Sequence, residues 1–282
     1  MKIMPKILLL LFVVLNIVKG YSSEKIPLQK TETEIFRERH LVPIYAADTR
    51  AHRLGIQRDL QNPEFIGSMG GQFPVYSISL GKHIFQFELA GTTYLGLLRS
   101  VNHGSVLNTD FFVDAFLNYQ WHPNWAIRLG TGHTSQHLSD DAITNGLYPF
   151  NNYARDYHQI GLSRKGFRRK YHLYANYIYN YNFKADRVLS GNSILQSGFE
   201  CNLSQLILKK RKESGFIIGA DFKFRSELDF RSTRNILFAY QFKHNEGQQI
   251  KLVFNYTSGA DERGQFYQSN KRILSTGIHA EF

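Results

Sequence analysis

The chain has 282 residues, a single cysteine and a net charge of +11 at pH 7. One thiol excludes an internal disulfide framework, and an exported chain this basic meets anionic lipid phosphates or carries basic inner turns instead of binding nucleic acid. Aromatic residues make up 14% of the chain, including 22 Phe and 16 Tyr. Beyond the N-terminus they fall on alternate positions, as they do on the lipid face and interfacial girdles of a membrane barrel.

Met1 to Gly20 has a basic start at Lys2 and Lys6, then an apolar run from Ile7 to Val18. That run is shorter than the roughly 20 apolar residues needed to span a bilayer. It ends in small residues, as a cleaved secretory signal peptide does. Residues 21–48 are polar and mixed without a period, and are expected to form a periplasmic segment or an inner plug. The barrel is expected over residues 49–282.

Arg50–Leu60 reads as a weak first strand, and Phe65–Leu80 as a Gly-rich second one broken by Pro74. A strand points successive side chains to opposite faces, and from here the alternation is regular. Phe85, Phe87, Leu89, Leu95 and Leu97 oppose Gln86, Glu88, Thr92 and Tyr94. Phe111, Val113, Ala115, Leu117 and Tyr119 oppose Asp110, Asp114, Asn118 and Gln120. Trp125, Ile127 and Leu129 oppose Ala126, Arg128 and Gly130 in the fifth strand. The sixth, Tyr153–Arg164, sets Ile160 and Leu162 on its even face. Six further segments alternate in the same way. The last one ends on Phe282, which resembles the C-terminal assembly signal of outer-membrane barrels and implies contact with the barrel-assembly machinery.

Short turns at Gly81-Lys82, His122–Asn124, Gly166–Arg168, Lys209–Glu213 and Lys243–Gln248 alternate with longer loops. Those loops are expected at Arg99–Asn108, Leu138–Pro149, Phe183–Gly191, Glu227–Arg234 and Ser258–Asn270. Short periplasmic turns and long extracellular loops characterise outer-membrane barrels. The fold predicted is therefore all-β, an antiparallel transmembrane β-barrel of about 12 strands in the bacterial outer membrane. Cys201 falls on a lipid face.

One stretch carries a cluster that resembles chemistry. The odd register of the fifth strand continues from Leu129 to Thr131, His133, Ser135 and His137. Serine hydrolysis needs a base beside the hydroxyl and a carboxylate to orient that base. Ser135 is the candidate nucleophile and His133 the base. Extending the even register of the sixth strand upward from Ile160 gives His158 and Asp156, so Asp156 shares the lipid side and is the first choice of acid. Asp140 and Asp141, on the following loop, are the alternatives. Gly130 and Gly132 are either backbone donors to an oxyanion or barrel kinks. No metal or cofactor site is assigned, since His133 and His137 stand about 13 Å apart along a strand at ~3.3 Å per residue.

The run GHTSQHLSDD resembles the H-x-S-x-H-L-x-D-E box of an uncharacterised domain-of-unknown-function family of bacterial outer-membrane proteins. His133, Ser135, His137, Leu138 and Asp140 match it, while Asp141 replaces the Glu. Arg155-Asp156-Tyr157 stands at the place of a short aromatic–acid stretch. The similarity runs from about Leu41 through most of the chain and is strongest from Phe111 to Ser163. It implies a barrel and no activity. A looser likeness is to the lipid A 3-O-deacylases, whose H-x-S-N-A-G box is matched only by His133 and Ser135; Gln136, His137 and Leu138 depart from it. That likeness implies lipid A, already held laterally in the outer leaflet, as substrate. Three readings follow: a serine-type lipid deacylase, a non-enzymatic envelope barrel, and a small pore lined by Glu88, Asp110, Asp114, Arg128, Lys223, Arg225 and Lys251.

Overall fold

The computed structural model describes residues 31–35, 39–99, 104–144, 153–166, 171–185, 192–204, 214–243 and 248–282. The predicted leader, residues 1–20, and parts of several predicted turns and loops lie outside these. The strands are β1 (Thr31–Ile35), β2 (Leu54–Asp59), β3 (Glu64–Leu80), β4 (His83–Arg99), β5 (Gly104–His122), β6 (Trp125–Leu138) and β7 (Tyr153–Gly166). They continue as β8 (Tyr171–Ala185), β9 (Ser193–Asn202), β10 (Gly215–Arg225), β11 (Arg231–Lys243), β12 (Gln249–Ala260) and β13 (Asn270–Glu281). A short helix, α1 (Asp140–Thr144), follows β6. Among the described residues no helix is long and apolar enough to cross a membrane; the chain crosses with strands.

β2 to β13 pair antiparallel with their neighbours, and β2 pairs with β13, so twelve strands close the barrel. Closure leaves no strand edge for water to satisfy, the condition for a sheet to sit in hydrocarbon. The exterior follows the sequence alternation: Phe87, Leu89, Phe111, Val113, Leu129, Ile160, Leu162, Phe238 and Leu252 are all exposed, while Gln86, Glu88, Asp110, Asp114 and Asn118 are buried inside. An apolar belt outside and a polar interior is the pattern of a membrane barrel.

The structure departs from the sequence reading in four places. β1 was not expected: its TETEI sequence has no apolar period, yet it pairs with the lower half of β3, Thr31 opposite Leu80 and Ile35 opposite Tyr76. The first barrel strand begins at Leu54 and not at Arg50, because Arg50 turns inward to an ion pair with Asp110 at 3.0 Å and Arg53 donates to the Asp48 and Ala46 carbonyls. Two expected loops are shorter. β5 already pairs with β4 at Gly104, past a bulge at Gly96/Leu97. β10 passes to β11 through a tight turn whose Asp229 and Phe230 have positive φ. Pro74 is accommodated within β3 at a bulge, where the register against β4 shifts between Pro74 and Tyr76.

The lumen is occupied by residues 39–53. Val42 and Ala47 are fully buried, and Ala46 and Ala47 pack on Leu237, Ala239 and Val253. Tyr45 stacks flat on Tyr174 at 3.7 Å. Polar residues of this segment meet polar residues of the wall, as buried polar groups require. Glu88 accepts from His40 (2.8 Å), Gln72 (2.6 Å) and Arg128 (2.8 Å). Asp48 accepts from Lys223 at 2.6 Å and from Gln196 at 2.9 Å. His52 bridges Thr92 and Asp114. The other ring nitrogen of His40 meets the Phe282 carbonyl at 3.0 Å, tying the chain end to the plug. A cavity of about 120 Å³ remains among Tyr45, His52, Asp114, Arg155 and Arg225. At the extracellular end the loop after β12 folds inward: Gly264 N–H donates to Gln136, and Tyr267 packs with Tyr153 and Leu228.

Candidate functional site

β6 carries the candidate cluster on its lipid side. His133 and His137 are exposed and Ser135 is half-buried, whereas Thr134 and Gln136 are buried within the barrel. The registers place the partners in rows across the outer wall. Val113 of β5, His133 of β6, Asp156 of β7 and Asn182 of β8 form one row. Phe111, Ser135, Ala154 and Lys184 form the next row toward the extracellular side.

Within the first row, His133 Nδ1 lies 2.6 Å from Asp156 Oδ1, and Asp156 Oδ2 accepts from Asn182 Nδ2 at 2.6 Å. Both Asp156 oxygens are therefore used in holding the imidazole and itself. A carboxylate on Nδ1 fixes the neutral ring with its lone pair on Nε2. The His133 side chain is 52% exposed and that of Asp156 27%, so the pair stands at the wall's outer surface and not in the lumen. Asn182 reaches this face through a bulge. Asp156 faces Asn182 while its neighbour Tyr157 faces Asn180, so Tyr181 is the extra residue. One extra residue inverts the alternation beyond it, and Tyr181 and Asn182 are consecutively exposed.

Ser135 Oγ bonds His137 Nε2 at 2.6 Å. The serine thus touches the histidine two residues after it, while the histidine two residues before it touches the carboxylate. His137 also meets the edge of Phe111, ring centroids 6.2 Å apart. Phe111 and Val113 flank the cluster on the β5 side, and the small Ala154 lies opposite Ser135 on the other. Asp140 begins α1 and is exposed, as is Asp141; the carboxylate on His133 is Asp156. Among the described residues no group of three His, Cys, Asp or Glu side chains converges as a metal site.

The two glycines serve the other side of the wall. A Cβ on Gly132 would lie 2.1 Å from Asp114 Oδ1 and 2.7 Å from the Tyr157 ring, and one on Gly130 2.8 Å from Phe116. Both positions are paired to β5 and to β7. Their N–H groups belong to the ladder, and the missing side chains make room for the buried Tyr157–Asp114 hydrogen bond and for Phe116.

A family model described as "Protein of unknown function (DUF1207)" matches residues 21–282. No curated protein matches the sequence. Among solved structures, the Salmonella typhi outer membrane phospholipase (OMPLA), a dimer with bound calcium, superposes with TM-score 0.54 at 14% identity, covering 81% of this chain and 89% of that one. The outer membrane phospholipase A from Escherichia coli gives TM-score 0.54 at 14% identity, covering 81% and 95%. At that identity the likeness is one of fold. A closed antiparallel barrel with an apolar exterior, of the fold seen in outer-membrane proteins, places this protein in the bacterial outer membrane.

Proposed function

The chain belongs to the family described as protein of unknown function (DUF1207), and from that premise we propose that this outer-membrane barrel is a serine-type acyl hydrolase of outer-leaflet lipid. The observation that carries the reading is the His133–Asp156 contact of 2.6 Å on the lipid-facing wall, two residues along β6 from Ser135. An orienting carboxylate on Nδ1 of a histidine beside a serine is the arrangement that serine nucleophiles use. Nothing in the folding of a barrel requires it at the outer surface.

In the proposed reaction the Ser135 hydroxyl attacks the ester carbonyl carbon of an acyl chain. Its proton passes to Nε2 of His133, whose Nδ1 is engaged by Asp156. The carbon–oxygen bond to the headgroup side breaks, the leaving alkoxide takes the proton from His133, and the acyl chain remains on Ser135. Water, deprotonated by the same ring, attacks the acyl carbon, the bond to Ser135 Oγ breaks, and the ring returns the proton to Oγ as the fatty acid leaves. The substrate arrives laterally: a lipid ester lies at the depth of the rim, with Phe111 and Val113 as apolar ground for the chain. Lipid A and glycerophospholipid are the substrate classes at this depth, and two of the similar folds are those of outer membrane phospholipases.

A pore is the less favoured reading, because residues 39–53 fill the lumen with paired groups. The test is mass spectrometry of lipid A and phospholipids from cells with and without the protein, with Ser135→Ala as control. Loss of an acyl chain that depends on Ser135 supports the hydrolase. An unchanged profile removes it in favour of an envelope or transport role.

A further inference from the structure

An ester hydrolase must stabilise the negative charge that develops on the carbonyl oxygen in the transition state, and backbone N–H groups commonly do so. On this wall they are committed. β6 is paired to β5 from Trp125 to Leu138 and to β7 from Trp125 to Gln136. The N–H groups around Ser135 therefore point along the sheet into ladder bonds, and not outward toward a lipid ester. An oxyanion donor at this surface has to be a side chain.

The outer face offers few: Thr131 donates to the Tyr157 carbonyl, and Thr109 stands opposite His137, one row beyond Ser135. Asn182 spends its amide on Asp156 Oδ2, and Asp156 engages His133 Nδ1. Phe111, Val113 and Ala154 carry no polar side-chain atoms. Lys184 stands two strands away from Ser135 in its row, beyond Ala154. His137 Nε2 is the group already at the nucleophile, 2.6 Å from Ser135 Oγ. With Asp156 engaging His133 as the base, the complementary assignment gives His137 the donor's part: in the tautomer protonated on Nε2 it donates to Oγ across the 2.6 Å contact, and its ring rests edge-on against Phe111.

We propose that His137 is a second catalytic histidine, whose Nε2–H donates to the oxyanion formed when Ser135 attacks an outer-leaflet ester, replacing the backbone donors that a fully paired strand withholds. This rests on the hydrolase reading above. No electron or covalent bond passes through His137. It donates a hydrogen bond to Ser135 Oγ at rest and to the carbonyl oxygen as charge gathers there, the two oxygens lying on the same carbon in the tetrahedral intermediate.

The test is fatty-acid release from diacyl phospholipid and from lipid A by the purified full-length protein in mixed micelles. Unaltered protein is compared with His137→Ala, His137→Gln, His133→Ala and Ser135→Ala. Heat-dependent gel mobility confirms that each barrel is folded. Loss of one oxyanion donor lowers kcat by about 10²–10³-fold, so His137→Ala is expected to fall by that amount with KM nearly unchanged. His137→Gln, which keeps an N–H donor but no base, is expected to regain about tenfold or more of that loss. A folded His137→Ala barrel with kcat within about threefold of the unaltered protein overturns the assignment. So does a His137→Gln barrel as inactive as His137→Ala, together with a mild His133→Ala, because that pattern makes His137 the base. Hydrolysis that survives Ser135→Ala, or none by the unaltered protein, overturns the hydrolase reading itself and this assignment with it.

Discussion

Replacing Glu88 by leucine removes the acceptor that Arg128, His40 and Gln72 share inside the barrel. Glu88 is fully buried and Arg128 nearly so, so the substitution leaves a guanidinium without its counter-charge in the interior. Breaking a buried ion pair from one side costs about 3–5 kcal/mol. Arg128 keeps a hydrogen bond to Asn118 at 2.8 Å and lies 4.2 Å from the Phe116 ring centroid, which places the cost at the lower end, about 3 kcal/mol. At about 2–4 °C per kcal/mol for a chain of this length, the unfolding midpoint falls by about 6–12 °C. The assay is the heat-dependent gel mobility of the refolded barrel in detergent, read as fraction folded against temperature. Combining Glu88→Leu with Arg128→Met removes both charges, and is expected to recover more than half of the loss because paired apolar replacements are often neutral. A drop under about 2 °C for Glu88→Leu, or a double variant no more stable than the single, would refute the picture of a plug held by paired charges.

Other predictions concern the site and its surroundings. Asp156→Ala is expected to lower ester hydrolysis by about 10²-fold or more, within the range for loss of organised acid–base catalysis, and Asn182→Ala by about tenfold, the worth of one hydrogen bond to a charged group; fatty-acid release measures both. Gly132→Ala is expected to destabilise by about 1–3 kcal/mol through overpacking against Asp114 and Tyr157, while Thr131→Ala on the lipid side costs far less, as thermal unfolding will show. Burial alone would raise the Asp261 carboxyl, but the charge and hydrogen bonds of Arg263 outweigh it and hold the group below its ordinary range. A depressed carboxyl contributes stability that is full above its unfolded pKa of about 3.9 and is lost as pH falls through the folded value. Protection factors of the amides in residues 261–269, taken against intrinsic exchange at each pH, are therefore expected to fall below about pH 4, and Arg263→Ala should remove that fall.

The barrel was legible because a strand advertises its two faces in every second residue. Phe111 to Tyr119 and Phe216 to Phe224 could be assigned outward without a partner in view. The same rule carried Asp156 to His133: extending the even register from Ile160 places the carboxylate on the lipid side, and the structure sets the two residues directly opposite. The plug was less legible, since residues 39–53 have no period of their own and are held by residues far along the chain, as His40 is by Glu88. Asn182 was hidden by the bulge at Tyr181, which inverts a face that plain alternation assigns inward. The Ser135–His137 contact was hidden for a different reason. Histidines two residues before and two after a serine stand at equal offsets on one face, and only the neighbouring strand, by engaging His133 through Asp156, separates their roles.

The central claim is that Ser135, served by His133 and Asp156, cleaves an acyl ester of lipid in the same leaflet. The most direct measurement is free fatty acid released by purified protein from vesicles of phospholipid with and without lipid A, quantified by mass spectrometry. The account predicts release from the unaltered protein and its loss in Ser135→Ala and His133→Ala barrels that remain folded. Equal release from the Ser135→Ala barrel, or no release from either lipid by the unaltered protein, would contradict it.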